Sequence, residues 1–161
     1  MSNAPTLPAD YCWQPGGEGD RPCLLQWLVA TYAELWPAQT TFSHLTQTVA
    51  QYWSGTAGQL LWIIQGVGAP VGERVAVVWQ AIAVDQVTGD RYPHILLLRV
   101  APAHRRRGLG TALMQAVQAQ AHRQGYGQIG LQTFSRNTGA IAFYQRLGYQ
   151  SHSLLLTKPL T

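Results

Sequence analysis

Apolar residues recur along the chain with two different spacings, which separate helices from strands. Two helices are predicted in the N-terminal third, because apolar residues follow helical spacing from Pro22 to Trp36 and from Phe42 to Trp53. Pro37 stops the first of them. The predicted helices are 22–36, 42–55, 109–125 and 137–147; the predicted strands are 10–14, 59–65, 74–87, 92–101, 128–134 and 149–157, with a Gly/Pro-rich turn at 66–72.

The length and composition indicate one globular domain covering residues 1–161, with residues 1–10 as a candidate disordered terminus. Hydrophobic residues make up 47% and charged residues 11%. No apolar run reaches the length of a membrane span, and the first residues lack the order of a signal peptide. Cys12 and Cys23 show no metal-binding spacing. We therefore expect a cytoplasmic protein with reduced thiols, no bound metal and no membrane partner.

Charge is distributed unevenly along the sequence. All seven acidic residues lie within residues 1–90, whereas nine of the eleven basic residues lie within 91–161. A cationic half of this kind favours a polyanionic ligand, either a nucleic acid or a cofactor that carries phosphates. No nucleic-acid recognition motif is present and Lys158 is the only lysine, so the cofactor explains more of the pattern.

The most specific chemistry lies in the loop between the predicted strand 92–101 and the following helix. Gly108 and Gly110 remove the side chains that would keep a phosphate away from the backbone. Arg105, Arg106 and Arg107 add forked donors suited to phosphate oxygens. Since the N–H groups at a helix N-terminus also attract anions, the loop predicts a binding site for a phosphate-bearing ligand.

Two common glycine-rich nucleotide loops are excluded by the residues that follow. A P-loop ends in Gly-Lys-Ser/Thr, whereas Gly110 is followed by Thr111 and no lysine. A dinucleotide-binding loop needs a third small residue and a later acidic residue, but Leu113 occupies that position and no Asp or Glu follows Asp90.

Two motifs in the C-terminal half occur together in a fixed order. The first is RRRGLG at 105–110, and the second runs from Asn137 to Tyr149, with Tyr144 seven residues after the asparagine and Leu-Gly-Tyr at the helix end. They resemble the acetyl-coenzyme A signature, Arg/Gln-x-x-Gly-x-Gly/Ala, and the second cofactor motif of the GNAT superfamily of N-acetyltransferases. The resemblance covers residues 93–150, and the earlier residues match it only in element order.

This resemblance implies an α/β (α+β) fold, a twisted mixed sheet of six to seven strands flanked by about four helices. In such folds the fourth and fifth strands splay apart and the cleft receives the pantetheine arm of acetyl-CoA. The backbone of Leu98, Arg99 and Val100 would then bind the pantetheine amides, and residues 106–111 the pyrophosphate. Arg105 and Arg107 are expected to point outward, toward the ribose phosphate or solvent. The implied cofactor-binding residues are Leu98, Arg99, Val100, Arg105, Arg106, Arg107, Gly108, Leu109, Gly110, Thr111, Asn137, Ala140 and Tyr144.

The same resemblance suggests how acetyl transfer would proceed. The Val100 N–H would polarise the thioester carbonyl, Asn137 would anchor the cofactor arm, and Tyr144 would be the general acid for the leaving thiolate. The alternative for Asn137 is a helix N-cap. For Tyr144 the alternative is core packing on the apolar face of its helix.

No residue stands out as the general base. Relatives that acetylate a ribosomal protein have a Glu five residues before the motif Asn, but this chain has Gln132, and an amide is not a useful proton acceptor. His94 is the candidate base, with Asp85 and Glu34 as further candidates, although each is also consistent with an ordinary structural role. A relay to water is a further alternative.

The acceptor site is expected to involve the two N-terminal helices and the loop between them. Tyr32, Trp36, Phe42 and Asp85 are the candidate substrate-binding residues, although helical spacing also suits the aromatic ones as core. An aromatic pocket with few acids favours an amine carried on an apolar or aromatic body.

The predicted function is acetyl-CoA-dependent N-acetylation of a primary amine on a small molecule or a peptide N-terminus. The alternatives are a non-catalytic acyl-CoA-binding module of the same fold and a basic nucleic-acid binder. The expected partners are acetyl-CoA and an amine acceptor, without nucleic acid, and the chain is expected to be a monomer or a homodimer.

Overall fold

A five-stranded mixed sheet forms the centre of the computed structural model, which describes residues 4–66 and 72–161. The strands lie in the order β1-β2-β3-β4-β5, with three antiparallel pairs and one parallel pair, β4 with β5. The strands are β1 Tyr11–Pro15, β2 Leu60–Gln65, β3 Glu73–Val84, β4 Arg91–Val100 and β5 Gly130–Leu131; the helices are α1 Arg21–Leu35, α2 Leu45–Tyr52, α3 Leu109–Arg123 and α4 Thr138–Arg146.

Helices cover both faces of the sheet, because alternate strand residues enter two separate apolar clusters. In β3, Val77 and Trp79 point into the cluster with α1 and α2, while Ala76 and Val78 point into the cluster with α3. Trp62 and Trp79 are fully buried on the α1–α2 side. Helix α4 packs beside α3 through partly buried side chains, Phe143, Tyr144 and Leu147.

A β-bulge in β4 determines where the sheet opens. Trp79 pairs with Leu97 but Gln80 pairs with Ile95, so Leu96 is the extra residue. As a result Ile95 and Leu97, two positions apart, enter opposite clusters instead of the same one. Strand β5 pairs with β4 only at His94 and Ile95. Beyond the bulge β4 and β5 therefore separate.

The predicted GNAT-type fold and the two helices before the central strands are confirmed, but the predicted six to seven strands are too many. Residues 149–161 form no strand, and Leu154, Leu155 and Leu156 are 84%, 75% and 87% exposed. Three consecutive leucines make an apolar run without the alternation of a half-buried strand, and this run packs against no core cluster.

Other boundaries differ for local reasons. Strand β5 is much shorter than the predicted 128–134, because β4 diverges after the bulge. Strand β3 ends at Val84 rather than 87, because the Asp85 carboxylate accepts the N–H groups of Val87 and Thr88 and turns the chain. Within the predicted turn at 66–72, residues 67–71 lie outside the described residues.

Two absences hold for the described ranges. Between residues 4 and 66 and from 72 onward, no helix is long and apolar enough to cross a membrane. In the same ranges, no group of three or more His, Cys, Asp or Glu side chains could hold a metal ion.

Candidate active site

The last residues of β4 present a backbone edge that pairs with no strand of the described residues, the free edge, on which the Val100 carbonyl accepts a hydrogen bond from Arg105. The Ala101 N–H donates to the Val75 carbonyl on β3 at 2.8 Å. Because hydrogen bonding alternates between the two sides of a strand, the N–H and C=O groups of Val100 and Leu98 point the other way, toward the side that β5 has left. An extended ligand can therefore pair with β4 here as an added strand would.

This edge leads directly into the N-terminus of α3. Gly108 is the N-cap, at φ +78°, and no side chain caps the helix. The Ala112 N–H already donates to the Gly108 carbonyl at 3.0 Å, so the N–H groups of Leu109, Gly110 and Thr111 have no partner within the helix. Three free donors and the positive end of a 15-residue helix make this an anion site.

Helix α4 lies against both of these parts. A side chain at Gly110 would lie 3.5 Å from Phe143 of α4 and 3.7 Å from Val100 of β4. Tyr144, which follows Phe143 in α4, packs against the apolar cluster between the sheet and α3. Its ring centroid is 5.8 Å from that of Tyr149. The strand edge, the helix N-terminus and α4 thus meet at Gly110.

The environment of Tyr144 favours a phenol that stays protonated. Burial raises the pKa of Tyr144 to about 12, with a smaller contribution from Tyr149. In the part of the chain that the structure describes, no hydrogen bond holds the Tyr144 hydroxyl, whereas the Tyr149 hydroxyl accepts one from Gln118 at 3.1 Å. The Tyr144 ring therefore packs against the core, while its hydroxyl proton is not held by another group of the described residues.

Asn137 has the structural role that its position at the start of α4 suggested. It is the N-cap of α4, and its Oδ1 accepts the Ala140 N–H at 3.3 Å. This cap fixes where α4 begins and hence where Tyr144 lies.

Two of the three loop arginines bind protein groups rather than pointing outward as expected. The Arg105 guanidinium forms a fork with both Glu34 oxygens, at 2.7 and 2.9 Å, and its Nε donates to the Val100 carbonyl at 3.1 Å. Arg107 donates to the Tyr11 hydroxyl at 2.8 Å. The loop is thereby tied to α1 and β1, and only Arg106 among the three has no such contact in the described residues.

Glu34 and Asp85, the two carboxylates considered as general bases, are held in hydrogen bonds that stabilise the fold. Glu34 also accepts from Arg99 at 2.8 Å, and the two arginines, Arg105 foremost, lower the pKa of Glu34 to about 2. Hydrogen bonds from Gln128 and from the Thr88 and Val87 backbone lower the pKa of Asp85 to about 2. Neither carboxylate is a useful proton acceptor near pH 7.

His94 remains as a side chain able to accept a proton. It lies where β4 last pairs with β5, opposite Gly130. Its Nδ1 is buried without a hydrogen-bond partner, and burial lowers the pKa of His94, which keeps the imidazole neutral. Gln132, in contrast, is exposed just after β5.

An aromatic cluster, formed by Tyr32, Trp36, Phe42 and Phe134, connects α1 to the segment after β5. Tyr32 and Trp36 stack at 5.8 Å, Tyr32 lies 6.4 Å from Phe42, and the Trp36 ring lies 4.5 Å from that of Phe134. Three of the four predicted substrate residues thus meet. Asp85 does not join them, since it lies in the β3–β4 turn, at the end of the sheet where β4 begins.

Comparison with known proteins identifies the family. The sequence model of the acetyltransferase (GNAT) family matches residues 22–149. This chain belongs to the GNAT family. Acetyl-CoA is the donor that GNAT acetyltransferases generally use.

Individual relatives of this GNAT protein are distant. It is 33% identical over 79 residues to N-acetyltransferase family 8 member 3 of Mus musculus, a match that covers 49% of this chain but 35% of the mouse protein. A structure from Pyrococcus furiosus that is named as an acetyl transferase superposes with a TM-score of 0.75 at 18% identity, over 93% of this chain and 99% of that one. The aminoglycoside 6'-N-acetyltransferase AAC(6')-Ih from Acinetobacter baumannii superposes at 0.63 with 19% identity, over 94% and 99%. At these identities the structural likeness shows the fold alone.

Sequence reasoning missed two residues that contact Trp36 in this GNAT protein. Phe134 is the last residue of the predicted strand 128–134, but in the structure it follows β5 and packs on Trp36. Arg136, not singled out, places its guanidinium 5.3 Å from the centre of the Trp36 ring. The sequence did contain a signal for them, because an aromatic residue ends a predicted strand and an arginine directly precedes Asn137, where the second cofactor motif begins.

Proposed function

We propose that this GNAT protein transfers the acetyl group of acetyl-CoA to a primary amine, on a small molecule or a peptide N-terminus, by direct attack in a ternary complex. The observation that carries the proposal is the free edge of β4, at Leu98 and Val100, leading into the uncapped N-terminus of α3. The edge suits the amides of an extended arm, and the helix end suits a pyrophosphate.

The residues present fit acetyl-CoA in both respects. Leu98 and Val100 would pair with the pantetheine amides, while the N–H groups of 109–111 and the loop 106–108 would hold the pyrophosphate. The positive φ of Gly108 turns the loop without a side chain, and nothing lies within 4 Å of where its Cβ would be. Phosphate oxygens can therefore approach the backbone there.

Binding and orientation then lead to chemistry. Acetyl-CoA supplies a thioester whose carbonyl carbon accepts the amine nitrogen as the C–S bond breaks. The outward Val100 N–H is the donor for the developing oxyanion, which leaves the Val100 carbonyl and the Leu98 backbone for the pantetheine amides. Tyr144 gives its proton to the departing thiolate sulfur, and His94, directly or through water, takes the proton that the amine loses. The negative charge left on the phenolate is then neutralised by proton exchange with solvent.

A turnover assay tests this proposal against its alternatives. Free thiol released from acetyl-CoA is measured across a panel of primary amines, and CoA binding is measured separately by calorimetry. We expect CoA binding and amine-dependent thiol release. CoA binding with no turnover would favour the non-catalytic acyl-CoA module, while salt-sensitive DNA binding that CoA does not displace would favour the nucleic-acid binder.

A further inference from the structure

The aromatic cluster lies across the opening between β4 and β5. On the β4 side, α1 is fixed by Glu34, which binds Arg99 of β4 and Arg105 of the loop. Tyr32 lies two residues before Glu34 in α1, and Trp36, the C-cap of α1, lies two residues after it. On the other side, Phe134 follows β5 by three residues. The cluster therefore borders the region where β4 offers its free edge, which is where a thioester bound there would meet its acceptor.

The exposed surface of the cluster is aromatic. Trp36 and Tyr32 are half-buried, and Phe134 is 40% exposed. Trp36 and Phe134 meet edge to face, with ring planes at 88°. Because Tyr32 stacks on Trp36 and Arg136 lies over it, a third aromatic ring in this corner would stack on the exposed Phe134 and meet Trp36 at an edge.

The charge around the cluster is positive. The Arg136 guanidinium lies over Trp36, and it forms no ion pair within the described residues. Glu34, the carboxylate on this part of α1, is already paired with two arginines. An incoming anion thus finds an unpaired guanidinium, whereas an incoming polycation finds no free carboxylate.

We infer that the acceptor is an aromatic amine that also carries a carboxylate, of which an aromatic amino acid is the simplest example. Its ring would pack on Trp36 and Phe134, its carboxylate would pair with Arg136, and its amine would be acetylated. The inference rests on the proposed function, and it excludes polycationic amines as preferred substrates.

Matched substrates test the carboxylate directly. L-phenylalanine and phenethylamine share ring and amine, and differ in the carboxylate; sisomicin represents a polycationic amine. We expect kcat/KM, corrected for the unprotonated fraction of each amine, to be about 10- to 100-fold higher for phenylalanine than for phenethylamine, the range for a hydrogen bond to a charged group. A preference for phenethylamine or sisomicin would overturn the inference while leaving the proposed function intact.

Two arginine variants test whether Arg136 causes the preference for phenylalanine over phenethylamine. Arg136→Gln is expected to raise KM for phenylalanine about 10- to 100-fold with little change in kcat, and to leave KM for phenethylamine unchanged. Arg146→Gln, which removes an exposed arginine in the last turn of α4, is the control and should change neither. Equal effects of the two variants would contradict a specific carboxylate contact.

A binding measurement separates this inference from the proposed function. Calorimetry with CoA present compares phenylalanine and phenethylamine on the wild-type chain and on Arg136→Gln. If no amine is acetylated, the proposed function fails, and binding still tests the ligand class that we assign to the site: phenylalanine should bind more tightly than phenethylamine and lose that advantage in the variant, and equal binding would overturn the assignment.

Discussion

Gly108 has a backbone conformation that other residues adopt only at a cost. Its φ is +78° and the space around its Cα is open. Gly108→Ala should therefore lower the free energy of unfolding by about 1–2 kcal/mol through backbone strain alone. Gly139→Ala is the control: it lies in α4, its φ is not positive, and nothing lies within 4 Å of the new methyl group. That change should raise stability by about 0.5–1 kcal/mol. Urea denaturation measures both, and similar shifts in the two variants would contradict the assignment.

Glu34 links the stability of the loop to pH. Arg105 and Arg99 lower its pKa from 4.5 to about 2, so its ion pairs stabilise the folded state above pH 4.5 and are lost as the pH falls toward 2. Glu34→Gln should be less stable than the wild type at pH 7, by no more than about 1 kcal/mol because the carboxylate is 44% exposed.

The pH dependence of that difference is the test. Denaturation at pH 7, 5, 4 and 3 should give a gap between wild type and Glu34→Gln that is constant down to about pH 5 and then narrows. A gap that widens on acidification would mean that the pKa of Glu34 is not lowered.

Single residues differ in how far the sequence predicts them. The position of Gly108 was predictable, because the predicted helix begins at 109 and the structure makes Gly108 its N-cap, but the positive φ of Gly108 was not. The directions of Arg105 and Arg107 were not predictable either. Their partners Glu34 and Tyr11 lie 71 and 96 positions away in sequence, and a local pattern contains no information about contacts at that distance.

Among the elements, the β3–β4 hairpin depends on Asp85, which caps its turn. Asp85→Ala removes the acceptor of the Val87 and Thr88 N–H groups and of Gln128, so the variant should unfold at lower urea while KM for acetyl-CoA stays unchanged. Asp90→Ala removes the same charge from an exposed position of the same turn and is the control. Amide exchange at Val87 and Thr88 should accelerate in the first variant only. A rise in KM for the amine acceptor with unchanged stability would return Asp85 to the substrate site.

The β4 bulge explains why element boundaries were harder to predict than element order. Residues 94–98 form a histidine followed by an unbroken apolar run, which predicts a buried strand without showing which residue faces which side. The extra residue, Leu96, is defined only by pairing with β3. The early end of β5 follows from that bulge. The prediction of a strand at 149–157 fails for a related reason, because a strand forms only where another strand pairs with it, and a local sequence pattern does not contain that information.

Across the whole molecule, the acidic N-terminal half and the basic C-terminal half of the sequence form ion pairs with each other. An acidic residue of the N-terminal half neutralises part of the basic half, because Glu34 forms ion pairs with both Arg99 and Arg105. The family was predictable because two motifs identify the C-terminal half, and the order of helices and strands was predictable up to α4 but not beyond it. The aromatic cluster was only partly predictable, since Phe134 joins α1 through tertiary packing.

The central claim is that the chain catalyses acetyl transfer with Tyr144 as the acid, and one matched pair of variants tests it. Tyr144→Phe and Tyr149→Phe each remove one hydroxyl from two touching rings, but only the Tyr149 hydroxyl is held by another side chain, Gln118. We predict that kcat falls by about 10²–10⁴-fold in Tyr144→Phe, with the Kd for CoA nearly unchanged, and that Tyr149→Phe keeps its kcat. Equal turnover in the two folded variants would contradict the account and leave Tyr144 as a core residue.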